Sequence, residues 1–293
     1  KLPGGVFLSA WSDGAAVRIV GGPPGGGPSV MLRWENHRLC IEESTSESTL
    51  WWIHGPRAGE WYAVGGSGTV VHSVDGHRTR EDLPTDATLF GVYADAARDR
   101  VVAVGGVFGL HGDHGEVWLK TNGTWEAVAT DLPGVPFKAW DDLVVGAGVA
   151  WRLTGETLEE LDLGGARLVT VRGRSSNDVY AVGGQSNPTV LHWNGSEWSE
   201  VDTPFLQPLN GVWTGPDAAT WFAGNYGEVG GLDESGRWML PEAPLSSEHL
   251  HAAWKHDDEV LFVGGNLLDS EDHYGTILRL GPHVVPSEVQ SCG

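Results

Sequence analysis

Two short segments decide the fold: LNGVW at residues 209–213 and LHAAW at residues 250–254. Both begin with leucine and end with tryptophan. Five related starts precede them in the chain: FLSAW (7–11), LWWIH (50–54), LFGVY (89–93), PFKAW (136–140) and LVTVR (168–172). The starts recur about every 40 residues, which is a period typical of propellers and other repeat proteins.

Two further landmarks follow each start. The first is a β-branched or aromatic run that ends at glycine, such as VYAVGG at 179–184, and it indicates a strand followed by a turn. The second is a late tight turn, such as Asp75-Gly76, Asn122-Gly123 or Asn194-Gly195, whose residue types favour two-residue hairpin turns. Each unit therefore predicts four antiparallel strands, which we call a to d.

Radial stacking of such sheets buries both of their faces, which one small sheet cannot do alone. The sequence therefore predicts an all-β fold, a seven-bladed β-propeller of four-stranded antiparallel blades in a single domain spanning 1–293. The predicted blades are 7–48, 49–87, 88–135, 136–166, 167–208, 209–248 and 249–288, and 289–293 form a C-terminal clasp. The fourth unit is the shortest, and the pattern leaves open whether it is a full blade.

The repeat is similar to that of known propeller families. VYAVGG (179–184) followed by VLHWNGSEW (190–198) resembles exported, Trp- and Gly-rich propellers of the kelch and galactose-oxidase central-domain superfamily. The turns SVDGH (73–77), TNGTW (121–125) and ESGRW (234–238) resemble degenerate Asp-boxes of sialidase-like propellers. The resemblance implies the fold and no activity, because neither a sialidase arginine triad nor a tyrosine–cysteine copper site can be placed on this sequence.

The charge of the chain excludes two classes of partner. Lys and Arg number 18 against 39 Asp and Glu, which gives a net charge of −21. Binding to nucleic acid or to an anionic membrane surface depends on basic residues, so neither is expected of this acidic protein. No apolar run is long enough for a transmembrane segment. The start at Lys1 suggests a mature or trimmed chain, compatible with a removed signal or lipoprotein peptide.

The two cysteines lie where the first and last blades meet. Cys40 falls in the outer strand of blade one, and Cys292 follows the outer strand of blade seven. Both blades read as complete, with a final strand near Pro286, so we expect no swapped strand at the seam and a Cys40–Cys292 disulfide that holds it. The alternative is two unrelated thiols. The disulfide predicts an extracytoplasmic protein, which is periplasmic, outer-surface or secreted.

Two long b–c loops carry groups that can bind metals. They are GGVFGLHGDHGE (105–116) in blade three and GGNLLDSEDHYGT (264–276) in blade seven. Imidazoles suit zinc, copper or iron, and carboxylates suit calcium. The alternative is a pair of solvated polar loops, and then no cofactor is needed. The candidate ligands are His111, Asp113, His114, Asp272 and His273, with His249 and His251 at the same rim.

Four residues depart from the repeat pattern and are candidates for ligand binding. His54 and Arg172 stand at the fifth position of their starts, where other blades have Trp or Tyr. They mark a polar patch near the axis, or ordinary variation beside a solvent-filled channel. Trp51 and Trp52 lie off-pattern in strand a of blade two. They stack on sugars or a partner protein at the rim, or they are buried between blades.

These observations favour a non-enzymatic module that binds a protein partner or a glycan at the rim formed by the b–c and d–a loops. One alternative is a metal-dependent enzyme, a lyase, hydrolase or oxidase, that uses the histidines and aspartates of the two long loops. The other is a lectin. Stoichiometric metal in the purified protein would favour the enzyme, and a glycan array would identify a lectin.

Overall fold

The computed structural model describes residues 2–44, 46–110, 112–215, 219–268, 274–282 and 289–292. These form seven sheets, each with four antiparallel strands, so the predicted seven-bladed propeller is confirmed. The short fourth unit is a complete four-stranded blade. One 3₁₀ turn, Asn225–Gly227, interrupts the strands. No helix in the described parts of the chain is long and apolar enough to cross a membrane.

The first fourteen strands form blades one to three, the start of blade four and one short N-terminal strand: β1 (Leu2–Pro3), β2 (Val6–Ser12), β3 (Val17–Gly22), β4 (Val30–Glu35), β5 (Arg38–Glu42), β6 (Leu50–Arg57), β7 (Glu60–Gly65), β8 (Val70–Val74), β9 (His77–Arg80), β10 (Thr88–Asp95), β11 (Arg100–Val107), β12 (His114–Thr121), β13 (Thr124–Pro133) and β14 (Pro136–Trp140). The remaining strands complete the ring: β15 (Leu143–Gly146), β16 (Ala150–Thr154), β17 (Thr157–Glu160), β18 (Leu168–Ser175), β19 (Asp178–Gly184), β20 (Pro188–Trp193), β21 (Trp198–Glu200), β22 (Leu209–Thr214), β23 (Thr220–Gly224), β24 (Val229–Leu232), β25 (Trp238–Met239), β26 (Leu250–His256), β27 (Glu259–Gly264), β28 (Tyr274–Leu280) and β29 (Gln290–Ser291).

The first strand of each blade faces the axis. The inner strands β2, β6, β10, β14, β18, β22 and β26 each contact the next in turn, and β26 contacts β2, so that they form a closed ring. Within each blade the remaining strands follow outward by hairpins. The beginnings of the inner strands therefore share one end of the channel with the connections after each second strand. We call this end the mouth, and the opposite end the floor.

The predicted hairpin turns form as their residues require. At Asp75-Gly76 both φ angles are positive, 48° and 85°, and at Asn122-Gly123 they are 50° and 80°. Two successive left-handed residues define the turn type that matches the right-handed twist of the flanking strands. Asp, Asn and Gly are the residues that adopt this conformation at least cost. These turns set the register of the outer hairpins, which face the floor side of the ring.

The two chain ends meet at the seam between blades seven and one. Leu2 and Pro3 pair with Gly275 and Tyr274, so β1 is the outer strand of blade seven. The expectation that blade seven closes without a swapped strand is therefore wrong, and the strand predicted near Pro286 lies outside the described residues. The other end, β29, pairs in parallel with β5 of blade one. The ring is thus closed by a strand at each terminus.

The predicted disulfide between Cys40 and Cys292 is confirmed, with its sulfurs 2.00 Å apart. The Cys292 amide also donates a hydrogen bond to the Ile41 carbonyl oxygen, at 2.9 Å. The bond therefore joins the C-terminal clasp covalently to the outer face of blade one. It reinforces a seam at which each terminal strand contributes only two paired residues.

Tight packing between blades needs glycine where an aromatic ring crosses the next inner strand. A Cβ on Gly55 would lie 2.4 Å from Cζ2 of Trp11, and a Cβ on Gly173 would lie 2.5 Å from Nε1 of Trp140. Both glycines directly follow the fifth residue of their repeat start. The indoles of Trp11 and Trp140 therefore each pack on the backbone of the next blade.

Candidate functional site

A β-bulge occurs at the same point of every inner strand. In each blade the register shifts across the second residue of the repeat start, for example between Phe7 and Ser9 and between Leu209 and Gly211. A bulge leaves one residue unpaired and redirects its side chain. The seven bulged residues all line one pocket at the mouth: Leu8, Trp51, Phe90, Phe137, Val169, Asn210 and His251.

The mouth pocket has a volume of about 430 Å³ and an aromatic wall on blades two to four. Trp51 meets Phe90 edge-on with ring centroids 5.0 Å apart, and Phe90 meets Phe137 in the same way at 5.6 Å. Phe108, from the turn between β11 and β12, covers both phenylalanines at 5.9 and 6.1 Å. Edge-to-face packing holds these rings rigidly, so the wall is preformed for an apolar group.

The opposite wall, on blades six and seven, is polar. The Asn210 amide donates hydrogen bonds to Oδ1 of Asn225 at 2.9 Å and to the Leu250 carbonyl oxygen at 3.0 Å. Nδ1 of His249 lies 2.8 Å from the same Oδ1, which can only accept, so this nitrogen is the donor. Tyr226, in a left-handed conformation with φ 53°, places its ring 4.8 Å from His249. The mouth pocket therefore offers amide and imidazole groups in fixed orientations.

Lys138 is the one charged side chain, apart from the histidines, among the described residues that line the mouth pocket. Its Nζ donates a 2.6 Å hydrogen bond to the Phe90 carbonyl oxygen and lies 4.2 Å from the centre of the Trp52 ring. Burial lowers the pKa of this amine to about 7. No carboxylate among the described residues lines the mouth pocket.

His251 is held as a neutral imidazole. Its Nε2 lies 3.0 Å from the Gly265 carbonyl oxygen, to which it donates. Burial lowers the pKa of His251 to about 4, against the opposing effect of that hydrogen bond and with a further contribution from the nearby His249 and Lys138. A neutral imidazole with a fixed tautomer serves better as a hydrogen-bonding group than as a pH sensor at neutral pH.

A ring of large side chains closes the floor of the channel. It consists of the fifth residues of the starts: Trp11, His54, Tyr93, Trp140, Arg172, Trp213 and Trp254. Contacts cross the axis between blades that are not neighbours: His54 lies 6.1 Å from Trp140, and the Arg172 guanidinium lies 4.2 Å from the Trp254 ring centre. The mouth pocket is therefore a cup with a closed floor.

The structure places the four off-pattern residues at two levels. Trp51 and Trp52 line the mouth pocket, with Trp52 under the Lys138 amine. His54 and Arg172 belong to the floor ring, where Nδ1 of His54 accepts a hydrogen bond from the Ala94 amide at 3.1 Å. The four therefore do not form a single site.

The predicted metal ligands are not brought together where the structure describes them. The described candidates have other partners: Asp113 accepts from the Gly109 amide, His114 pairs with Asp131 at 2.7 Å, and the two rim histidines are bonded as above. No group of three or more His, Cys, Asp or Glu side chains in the described ranges is arranged so that it could hold a metal ion. His111, Asp272 and His273 lie outside them. In addition, β11 and β12 extend into the segment predicted as the long loop 105–116.

Sequence reasoning missed most of the mouth pocket. The recurring tryptophans draw attention to the fifth residue of each repeat start, whereas the second residues form the pocket. These differ from blade to blade, from Trp51 and Phe90 to Asn210 and His251. Among these second residues, three consecutive blades have an aromatic residue and two consecutive blades have a polar one, with Leu8 and Val169 between the two groups.

No protein-family model matches the chain, and no curated protein matches it in sequence. Solved β-propeller structures are similar in fold. A streptogramin B lyase has 16% identity and a TM-score of 0.71, covering 89% of this chain and 91% of its own. The WD40 propeller domain of Doa1 has 7% identity and a TM-score of 0.66, with 90% and 91% covered.

A third similar structure is that of YCF48 bound to D1 peptide. It has 18% identity and a TM-score of 0.54, and 73% of this chain and 74% of the other are covered. At such identities the three likenesses show the fold alone. The three similar structures are propellers of different kinds, so they do not single out the kelch or galactose-oxidase type.

Proposed function

We propose that this protein is a binding module that captures an apolar segment of a partner polypeptide in the mouth pocket. The observation that carries the proposal is an apolar crown around the cup. We use this name for Phe108, Leu110, Leu206, Tyr226 and Leu268, whose exposed fractions are 57%, 102%, 76%, 60% and 88%. Two of them, Phe108 and Leu268, line the mouth pocket itself. Exposed apolar side chains at a concave site indicate interaction rather than solubility.

The chemistry of the mouth pocket suits an apolar side chain or the terminus of a polypeptide. Its volume of about 430 Å³ falls within the range of ligand pockets. An aliphatic or aromatic side chain buried against Trp51, Phe90 and Phe137 would contribute roughly 1.5–3 kcal/mol. The Asn210 and Asn225 amides stand opposite, where they can bond the peptide groups of the same segment. Aromatic anchors beside fixed polar groups are typical of binding hot spots.

One of the similar structures supports a peptide-binding interpretation by analogy: YCF48 is described as bound to D1 peptide. This description concerns that protein, and the argument for this chain comes from its own cup and crown.

Selection from a phage-displayed library of random short peptides tests the proposal. We expect selected peptides to be enriched in aromatic or aliphatic residues. Their affinity should fall about 5–30-fold in Phe108→Ala and in Leu268→Ala, which corresponds to roughly 1–2 kcal/mol for a truncated anchor. Both side chains are exposed, so the fold does not depend on them.

Val74→Ala is the matched control. Val74 is 41% exposed but lies beside the turn Asp75-Gly76 on the floor side, away from the mouth. Its truncation should leave the affinity unchanged. Failure to select any peptide, or equal losses in all three variants, would refute the proposal.

One observation favours a second candidate, an enzyme with a histidine base. Because Nδ1 of His249 donates to Asn225, its Nε2 carries the lone pair that a general base needs. A similar structure is a streptogramin B lyase, so a streptogramin B is the first substrate to test. Conversion detected by mass spectrometry and lost in His249→Ala would establish this activity, and unchanged substrate would remove it. The metal-dependent enzyme and the lectin stay predictions.

The disulfide favours an extracytoplasmic location, since such bonds persist in oxidising compartments. We expect the native protein to be recovered from an extracytoplasmic fraction with both cysteines protected from alkylation until it is reduced. Recovery from the cytosol with alkylatable thiols would contradict this placement.

A further inference from the structure

Arg172 extends across the floor of the channel and is held between two tryptophans. Its guanidinium carbon lies 5.3 Å from the ring centre of Trp140, in the preceding blade. It lies 4.2 Å from the ring centre of Trp254, two blades further on. Stacking on aromatic faces fixes the plane of a guanidinium and leaves its N–H groups directed outward in that plane.

This guanidinium lacks the partners that other buried arginines have. Nε of Arg33, Arg100 and Arg172 is in each case buried without an acceptor among the described residues. Arg100 nevertheless pairs with Asp142 at 2.6 Å, and Arg33 lies near Glu35 and Glu42 at 3.5 and 3.8 Å. No carboxylate in the described ranges lies within ion-pair distance of Arg172.

A second orphan donor stands at the same level of the channel. Nε1 of Trp213 is also buried without an acceptor among the described residues. Trp213 is the fifth residue of the start in blade six, between the blades that carry Arg172 and Trp254. Leaving a buried donor unsatisfied costs roughly 1–3 kcal/mol, and more when the group is charged. Two such donors in one ring indicate that an acceptor from outside the chain belongs there.

The neighbouring titratable groups do not supply the missing negative charge. Burial, together with the nearby Arg172 cation, lowers the pKa of His54 to about 3, so this imidazole is neutral. Burial and the charges of Asp95 and Asp141 raise the pKa of Tyr93 to about 12, so its hydroxyl keeps its proton. Arg172 itself keeps its charge, because burial lowers its pKa only to about 9.

We propose that Arg172 binds a small anion, a halide or a carboxylate, at the floor of the channel. Arg172 keeps partial exposure to water, so the floor is not sealed from solvent at this residue. A carboxylate would accept two parallel hydrogen bonds from the planar guanidinium, and a halide would accept them at a single centre. This site is separate from the mouth pocket, and it stands whether or not a peptide binds there.

Thermal unfolding in different sodium salts at constant ionic strength tests the site. Chloride, bromide and formate should raise the Tm relative to the much larger anion gluconate, and the rise should grow with the logarithm of the anion concentration above Kd. The rise should approach about 4 °C at a hundredfold excess over Kd for a chain of this size. Arg172→Met should abolish the rise. A stronger effect of formate would identify a carboxylate site, and a stronger effect of bromide a halide site.

Arg152→Met is the control, because Arg152 also stacks on a tryptophan, Trp193, at 5.7 Å, but outside the channel. It should keep the anion effect. An equal rise in Arg172→Met, or no rise over gluconate in the wild type, would overturn the proposal. If Arg172→Met does not fold, crystals of the wild type grown in bromide decide: an anomalous peak beside the guanidinium supports the site, and its absence refutes it.

Discussion

The Cys40–Cys292 bond should contribute a large part of the stability of the ring. The two residues are 252 positions apart, so the bond links nearly the whole chain in the unfolded state. The chain-entropy treatment of such a loop gives about 5 kcal/mol as an upper value at room temperature. The double variant Cys40→Ser/Cys292→Ser should lose up to this amount.

The terminal strand pairs at the seam are short and supplement the packing of blade one against blade seven. On one side only Gln290 and Ser291 pair with the outer strand of blade one, and on the other only Leu2 and Pro3 pair with blade seven. An unfolding entropy of about 0.6 kcal/mol per kelvin for a chain of 293 residues converts 5 kcal/mol into a Tm lowered by about 8 °C.

Calorimetry of the wild type and the double variant, each with and without reductant, measures this effect. Reductant should lower the Tm of the wild type toward that of the variant and should leave the variant unchanged. A Tm lowered by less than about 2 °C would refute the reasoning, because the seam would then be held by the strands alone.

Two further predictions concern packing and charge. Burial alone would raise the pKa of Glu81, but hydrogen bonds from His72, Lys120 and Trp125 lower it to about 2. Its carboxylate therefore stabilises the fold above about pH 4.5, and this stabilisation is lost as the pH falls toward 2. Between pH 4.5 and 2, the free energy of unfolding measured with urea should therefore fall less in Glu81→Gln than in the wild type, by roughly 1–2 kcal/mol after allowance for solvent screening. The same pH dependence in both proteins would contradict this prediction. Gly55→Ala should cost roughly 1–3 kcal/mol by urea unfolding, because the Cβ would lie 2.1 Å from the Glu60 carbonyl oxygen. Gly25→Ala, where nothing lies within 4 Å, should be neutral, and equal midpoints would disprove the clash.

The fold could be predicted because its signals repeat. Seven apolar starts, glycine-terminated strands and Asn-Gly or Asp-Gly turns each report the same local structure, and their spacing requires a closed ring. The disulfide followed from the positions of its cysteines relative to the blades. The strand swap at the seam did not, because Leu2–Pro3 is too short to show alternation and contains a proline, which usually argues against a strand.

The mouth pocket could not be predicted from strand periodicity. A bulge adds one residue, so the side chains of Trp51, Phe90 and Asn210 point where the alternating pattern would not place them. The fifth residues of the repeat starts could be recognised from the sequence because tryptophan recurs among them. Their role as the floor of the channel depends on contacts across the axis. Sequence repeats report neighbouring blades and not the blades that face each other, so the reach of Arg172 to Trp254 could not be inferred.

A crystal structure of the protein with a display-selected peptide tests the central proposal most directly. We predict that an apolar side chain of the peptide lies in the cup between Trp51 and Phe137, with Phe108 against it. A peptide found on a blade edge or on the floor side, with the cup empty, would contradict a binding function for the mouth pocket.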